Sequence, residues 1–332
     1  MTEHSRIPLP GDADEASGVS LFERASGAFG LDPFRAAPVP RLAPDAPVTR
    51  QRAPAAATPH VSAVMPDAPT AEPRVAKNTE APVAAPAAAR FGGPVHHIDR
   101  DRLEELGMIV PEAGATALLE EFRIIKRQVL ASAQAAEDAA ARRVLICSPL
   151  PGDGKTFCAT NLAIAMAGER EGEVLLIDAD FAKPSILSTL GLRKGPGLMD
   201  ALADPSLRVE DLVMATDIPG LFVLPAGSQT AADSEWLAST RTAEVLDRLT
   251  VGAPGRMLVF DSPPALAASP AADLARHVGQ AIIVARADRT GRNALDDAIQ
   301  LLAACPDIKL LLNATQFSPS GRRFGTYYGY EG

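Results

Sequence analysis

Aromatic residues, cysteine and basic charge are all scarce in this sequence of 332 residues. The chain contains one tryptophan, three tyrosines and three cysteines, and its formal net charge is −9. The acidic balance argues against a nucleic-acid partner, because a phosphate backbone is bound by clustered lysine and arginine. Cys147, Cys158 and Cys305 show no metal or redox spacing, so we expect buried thiols in a reducing cytoplasm.

Long apolar runs are also missing. No stretch approaches the ~18 apolar residues of a membrane span, and the first ten residues lack the apolar core of a signal peptide. We therefore expect a cytoplasmic protein, which could lie at the inner membrane only through a partner.

Proline is concentrated in the amino-terminal part, where 15 of the 29 prolines precede residue 95. Alanine and proline alternate there with little periodic hydrophobic signal, so the segment buries too little apolar surface to offset its ordering entropy. We predict a flexible arm over residues 1–96, a folded domain over 97–316 and a flexible tail over 317–332. An amphipathic segment near 18–29 is either a docking helix for a partner or a transient turn.

Short apolar runs alternate with helical segments after about residue 100. An amphipathic helix ending near Ala135 comes first. The apolar runs are 144–147, 174–177, 221–224, 257–260, 281–284 and 309–312. Several are continuous rather than alternating, which is typical of strands covered on both faces. The pattern predicts an α/β fold with a doubly wound, mainly parallel sheet that binds ligands at the carboxyl ends of its strands.

A glycine-containing loop follows the first of these strands. Residues 148–156 read Ser-Pro-Leu-Pro-Gly-Asp-Gly-Lys-Thr and precede a helix from Phe157 to Ala167. Strand, loop, Gly-Lys-Thr and helix in this order form the context of a P-loop, although Pro149 stands where the motif has its first glycine. The loop amides and helix N-terminus attract phosphate. We expect ATP or GTP to contact Pro151, Gly152, Asp153, Gly154, Lys155, Thr156 and Phe157, with Lys155 at the β- and γ-phosphates and Thr156 on Mg²⁺.

Three aspartates end strands at the same edge of the predicted sheet. Asp178 and Asp180 follow the run 174–177, and Asp261 follows 257–260. An aspartate after a strand often serves only as a cap or turn residue. Two in alternation and a third near the loop favour a phosphoryl-transfer site, with Asp261 at the metal-associated position.

All three tyrosines lie in the last six residues, at Tyr327, Tyr328 and Tyr330, interleaved with glycine. An aromatic tail could anchor in a groove. A chain rich in glycine is a poor anchor but can thread an active site, so the composition favours a phosphorylated substrate segment.

In combination these features resemble the bacterial tyrosine kinases, P-loop autokinases of capsule and exopolysaccharide export, and in particular the stand-alone kinases of exopolysaccharide loci. The residues that carry the resemblance are the loop 151–156, Asn161-Leu162-Ala163, Asp178-Ala179-Asp180 with Lys183-Pro184-Ser185, 224–227, Asp261-Ser262-Pro263-Pro264 and the tyrosine tail. It covers residues 97–332.

The resemblance implies an ATP- and Mg²⁺-dependent protein-tyrosine kinase that transfers the γ-phosphoryl group to its own tail tyrosines and regulates exopolysaccharide synthesis and export. It implies catalytic roles for Lys155, Asp178, Asp180 and Asp261, and metal contacts for Thr156, Asp178 and Asp261. Asn313 matches a position that contacts the base in related ATPases. A membrane-embedded polysaccharide co-polymerase is the implied partner. The family's ring-forming Glu-x-x-Arg-x-x-Arg motif appears as Glu120, Arg123 and Lys126, a helix that amphipathic packing explains nearly as well.

Two other functions stay open at this stage. A ParA/MinD-like ATPase switch is disfavoured because the signature lysine of that group would fall near Leu150, where the chain has none. A nucleotide-binding scaffold of an export complex is compatible with Ala182, which stands where many kinases of the family have arginine. Lys183 follows it and keeps the charge without the planar fork.

Overall fold

A computed structural model describes residues 88–136, 138–170, 172–230 and 232–315. The strands are β1 Val95–His96, β2 Arg143–Cys147, β3 Glu173–Asp178, β4 Met214–Thr216, β5 Leu221–Leu224, β6 Arg256–Asp261, β7 Gln280–Arg286 and β8 Asp307–Asn313. The α-helices are α1 Arg100–Glu105, α2 Ala117–Ala135, α3 Lys155–Ala167, α4 Ile186–Thr189, α5 Leu198–Ala203, α6 Asp233–Leu237, α7 Thr240–Thr250, α8 Pro270–Leu274 and α9 Arg292–Leu301.

The strands form one sheet in the order β1-β4-β5-β3-β6-β2-β7-β8. Every neighbouring pair runs parallel except β4 and β5. The central strands carry continuous aliphatic runs because helices cover both faces of the sheet. The predicted α/β fold with a mainly parallel, doubly wound sheet is confirmed.

The core has two layers, one on each face of the sheet. In β2, Leu145 packs against the layer beneath α5, α7, α8 and α9, whereas its neighbours Val144 and Ile146 pack against α2 and α3. Alternate residues of a strand point to opposite faces, so a single aliphatic run supplies both layers. This arrangement leaves the ends of the strands for the functional side chains.

All six predicted strands are present, and the structure adds β1 and β4, which have only two and three residues. Strands this short carry no readable alternation. The folded part also begins before the predicted boundary at residue 97. Phe91 packs edge-on against Phe222 with 5.0 Å between the ring centroids, and the Arg256 guanidinium lies 3.9 Å from the Phe91 ring.

Helix α2 ends at Ala135 as predicted and begins after Thr116, whose hydroxyl accepts a hydrogen bond from the Leu119 N–H. Helix α3 begins at Lys155, two residues earlier than predicted. The amphipathic segment near 18–29 and the tail over 317–332 lie outside the described residues.

No helix of the described ranges combines the length and the apolarity that a membrane crossing requires.

Glu210 lies in the short helical turn Val209–Leu212 and joins it to α7, on the face of the sheet opposite α3. Its buried carboxylate accepts hydrogen bonds from Arg248 Nη2 and Arg208 Nη2, each at 2.6 Å. Burial works to raise the pKa of Glu210, but the hydrogen bonds from Arg248 and Arg208 outweigh it and hold the pKa at about 2. The ionised carboxylate therefore stabilises the fold at neutral pH.

Glu210→Gln is expected to lower the free energy of unfolding at pH 7 by about 1–3 kcal/mol, because a charge-assisted acceptor is lost in a buried position. The folded pKa lies below the ordinary 4.5, so the stabilisation is present above pH ~4.5 and disappears as the pH falls towards ~2. Urea unfolding at several pH values measures this. Exposed Glu244→Gln is the control, and an equal loss in both variants would contradict the expectation.

Candidate active site

The loop between β2 and α3 has the backbone of an anion-binding turn. Gly152 and Gly154 take positive φ angles of +83° and +100°, a region that other residues rarely adopt. A Cβ at Gly154 would lie 2.0 Å from Asn313 Nδ2, so a larger residue would displace that side chain as well as strain the backbone. The loop leaves the first N–H groups of α3 facing the carboxyl edge of the sheet, where an anion is favoured.

Asp153 closes this loop from inside. Its buried carboxylate accepts a hydrogen bond from the Leu150 N–H at 3.2 Å, and the Ser148 hydroxyl donates to the Leu150 carbonyl at 2.8 Å. Pro149 occupies the position of the first glycine of the motif, and its carbonyl accepts a hydrogen bond from the Leu266 N–H at 3.3 Å. The loop therefore forms without the first glycine of the motif.

Lys155 faces the carboxyl ends of β3 and β6. Its Nζ lies 2.9 Å from Asp180 Oδ2, and both side chains are largely buried. Burial works to lower the pKa of Lys155, but the charges of Asp261, Asp180 and Asp178 outweigh it and leave the pKa above its ordinary value. The side chain is a fixed positive charge at the edge of the sheet.

Thr156 and Asp261 form a second pair beside this lysine. The Thr156 hydroxyl donates to Asp261 Oδ2 at 2.7 Å and lies 3.3 Å from the Ser185 hydroxyl. Asp261 is fully buried, and its other oxygen, Oδ1, has no hydrogen-bond partner among the described residues. Burial raises the pKa of Asp261 to about 7 despite the nearby Lys155 charge.

Asp178 is opposite Asp261 in the paired strands β3 and β6. Its Oδ2 accepts hydrogen bonds from the Ser185 and Ile186 N–H groups, each at 2.9 Å, so this oxygen also shapes the turn into α4. Burial raises the pKa of Asp178 to about 6 although these N–H groups work to lower it. Among the residues that the structure describes, only the Asp180 N–H contacts Oδ1, at a long 3.3 Å.

The arrangement fits a hydrated Mg²⁺ ion. Among the described residues, no cluster of three or more His, Cys, Asp or Glu side chains is placed to hold a metal. Mg²⁺ bound with a nucleotide takes one or two protein oxygens and completes its shell with water and phosphate. The Thr156 hydroxyl and the unpartnered Oδ1 of Asp261 are oxygens of this kind.

The structure brings Lys155, Thr156, Asp178, Asp180 and Asp261 together at one edge of the sheet, beside the loop 148–154. Asn313 is also there, but its Nδ2 donates to the Asp153 carbonyl at 2.9 Å. Phe157, which the sequence analysis placed among the nucleotide contacts, packs its ring edge-on against Phe122 on α2, with 6.4 Å between the centroids. Ala182 and Lys183 are exposed next to the site.

The three candidate oligomerisation residues lie apart from this edge, on α2. Glu120 and Arg123 form an ion pair within the helix, and the nearly buried Lys126 pairs with Glu169 just beyond the end of α3. Tyr327, Tyr328 and Tyr330 are outside the described residues.

Sequence reasoning gave no site role to three residues near the loop, although Ser185 belongs to the motif Lys183-Pro184-Ser185 that carries the resemblance. Ser185 contacts Thr156, and the guanidinium groups of Arg286 and Arg289 reach the carbonyls of Gly152 and Pro151, each at 3.4 Å. Two arginines directly after the run 281–284 were the available signal. It became readable only once β7 was found beside β2, the strand that leads into the loop.

The sequence is similar to those of known tyrosine-protein kinases. No family model matches the sequence. The chain is 30% identical over 215 residues to the tyrosine-protein kinase YwqD of Bacillus subtilis, an alignment that covers 64% of this chain and 86% of YwqD. It is 35% identical over 208 residues to the putative tyrosine-protein kinase EpsB of Ralstonia solanacearum, covering 59% of this chain but only 27% of EpsB.

The crystal structure of the chimerical protein CapA2B2 superimposes with a TM-score of 0.53 at 24% identity, covering 66% of this chain and 94% of that one. This likeness shows a shared fold. The similarity to YwqD extends over most of that protein, 86% of its length. By this relationship the chain belongs to the bacterial tyrosine kinase family.

Proposed function

We propose that this protein is an ATP-dependent protein-tyrosine kinase that phosphorylates the tyrosines of its own carboxyl-terminal tail. The proposal rests mainly on two contacts beside the loop 148–154, that of Lys155 with Asp180 and that of Thr156 with Asp261. A fixed cation, a metal-binding pair and a phosphate-binding loop at one sheet edge are the parts that phosphoryl transfer requires.

In the proposed complex the N–H groups of the loop and of the first turn of α3 hold the phosphates of ATP. Lys155 neutralises charge on the β- and γ-phosphates, for which it must exchange its contact with Asp180. Thr156 and Asp261 would hold Mg²⁺. When bound, this ion would neutralise charge on the phosphate oxygens.

The tyrosine oxygen attacks the γ-phosphorus, the new O–P bond forms, and the bond between the γ-phosphorus and the β,γ-bridging oxygen breaks to release ADP. Positioning matters more than a strong base, because the transition state is loose. Asp178 accepts the phenolic proton late at Oδ1, the oxygen that carries the long 3.3 Å contact from the Asp180 N–H. A pKa of about 6 suits a carboxylate that must take up a proton and release it again.

The tail is long enough to reach the site. From Asn313, beside the loop, to Tyr327 the chain has 14 residues, which span up to roughly 45–50 Å when extended. Transfer within one chain and transfer to a neighbouring subunit are both compatible with this reach.

Incubation with Mg·ATP is expected to add phosphate to Tyr327, Tyr328 or Tyr330, located by intact mass and peptide mapping. The matched control replaces all three tyrosines with phenylalanine and is expected to gain no tail phosphate while still binding ATP. ATP hydrolysis with an unmodified tail in the wild-type protein would contradict kinase activity on the tail. It would indicate a nucleotide-dependent switch or a scaffold instead, with Ala182 as the first residue to examine.

The family relationship supports a proposal for where this kinase acts and what it regulates. We propose that the kinase acts in the cytoplasm, bound at the inner membrane to a membrane-embedded polysaccharide co-polymerase, and that it regulates exopolysaccharide synthesis and export. Self-association through α2 would use the exposed parts of Glu120 and Arg123, because Lys126 is engaged with Glu169. Absence of such a co-polymerase from complexes purified out of membranes would count against the partner.

A further inference from the structure

Three consecutive carbonyls of the loop receive side-chain donors from the end of β7, from the turn after it and from the end of β8. Arg289 Nη2 lies 3.4 Å from the Pro151 carbonyl and Arg286 Nη1 lies 3.4 Å from the Gly152 carbonyl. Asn313 Nδ2 donates to the Asp153 carbonyl at 2.9 Å. The outer side of the loop is thus held at each of its three central peptide groups.

These contacts determine where the opposite sides of the peptides point. A trans peptide is planar, with its C=O and the N–H of the next residue on opposite sides. Holding the three carbonyls outward therefore turns the N–H groups of Gly152, Asp153 and Gly154 inward. Within the described part of the chain, none of these N–H groups donates to another protein atom. They are the groups that a P-loop offers to phosphate.

Hydrogen bonds within the turn after β7 position the two arginines beside the loop. The Arg286 N–H donates to the Thr290 hydroxyl at 2.9 Å, and the Arg289 N–H donates to the Arg286 carbonyl at 3.2 Å. Asp288 between them takes a φ of +61°, which a residue with a side chain adopts at a cost. The Arg289 guanidinium covers Gly152, where a Cβ would lie 3.2 Å from Nη1.

We propose that Arg286 and Arg289 are positioning residues that, with Asn313, hold the loop in its phosphate-binding conformation. The inference rests on the proposed function, since it assumes that the loop binds a nucleotide. The guanidinium groups withdraw electron density from the peptides they contact, which makes the opposite N–H groups stronger donors. The two arginines should therefore strengthen binding of the phosphates and not binding of the base.

The test measures binding of ADP, inorganic pyrophosphate and adenosine by competition with a fluorescent ADP analogue. Replacing Arg286 and Arg289 together with alanine is expected to weaken ADP and pyrophosphate binding about tenfold and to change adenosine binding less than about twofold. Lysine at both positions should restore part of the loss, because it keeps the charge but not the fork. Both arginines are exposed, so unchanged thermal unfolding is expected. Exposed Arg292→Ala on α9 is the control.

Each outcome separates this inference from the proposed function. A wild-type protein that fails to bind ADP would overturn both. Normal ADP binding by the double alanine variant would overturn the inference alone. An equal loss for adenosine would also overturn it, because the arginines would then contact the base or the sugar.

Discussion

Lys155→Met is expected to abolish phosphorylation of the tail and to weaken ATP binding. The Lys155 ammonium contacts Asp180, the charges of Asp261 and Asp178 also act on it, and its own charge works to lower the pKa of buried Asp261. Methionine preserves the length of the side chain but removes the positive charge that Lys155 places between the phosphates and the carboxylates. Loss of such a preorganised charge reduces a transfer rate by at least about a hundredfold.

The measurement is phosphate incorporation over time together with ATP affinity. Lys194→Met is the matched control, since Lys194 is exposed and lies outside the described site. Tail phosphate that persists in Lys155→Met at the wild-type rate would place the chemistry elsewhere in the chain. Loss of affinity in both variants would indicate a general charge effect rather than a local one.

Asp261→Asn is expected to lose Mg²⁺-dependent activity and yet to stabilise the ligand-free protein at pH 8. Burial raises the pKa of Asp261 in the folded state to about 7, above its ordinary 3.8. Ionising this group therefore costs the folded state free energy, a cost that begins as the pH rises above ~3.8 and is complete above ~7. Asparagine does not ionise. Its amide leaves a buried donor unpaired, so we expect a net gain of about 1–2 kcal/mol at pH 8.

Urea unfolding without nucleotide at pH 5 and pH 8 measures the gain, and phosphate incorporation measures the activity. The difference between variant and wild type should grow between these two pH values. Asp296→Asn, at an exposed position on α9, is the control and should show no such growth. A variant that is less stable than the wild type at pH 8 would mean that the carboxylate is paired favourably before any metal arrives.

The sequence analysis recovered the central strands and the loop because their signals are local. An aliphatic run of four to six residues has the length of a strand, and Gly-Lys-Thr between a strand and a helix has few other interpretations. Lys155, Asp178 and Asp261 could be proposed together for the same reason, since residues that end parallel strands meet at one edge of a sheet. The tail tyrosines remain a prediction from composition.

Other features depend on which strands become neighbours, and no local pattern encodes that. The order of the sheet places β7 and β8 behind the loop, and only this order brings Arg286, Arg289 and Asn313 to three successive carbonyls. It also gives Asn313 a contact with the loop that its position in the sequence did not reveal.

The fold class, the phosphate loop and the acidic strand ends could be predicted from the sequence, because each depends on residues that are consecutive in the chain. Tertiary structure alone decided the pairing of Thr156 with Asp261, the engagement of Lys126 with Glu169 and the buried setting that raises the pKa of Asp178 and Asp261. These properties join residues tens of positions apart. Their energies depend on distance and burial, which arise only when the strands and helices pack.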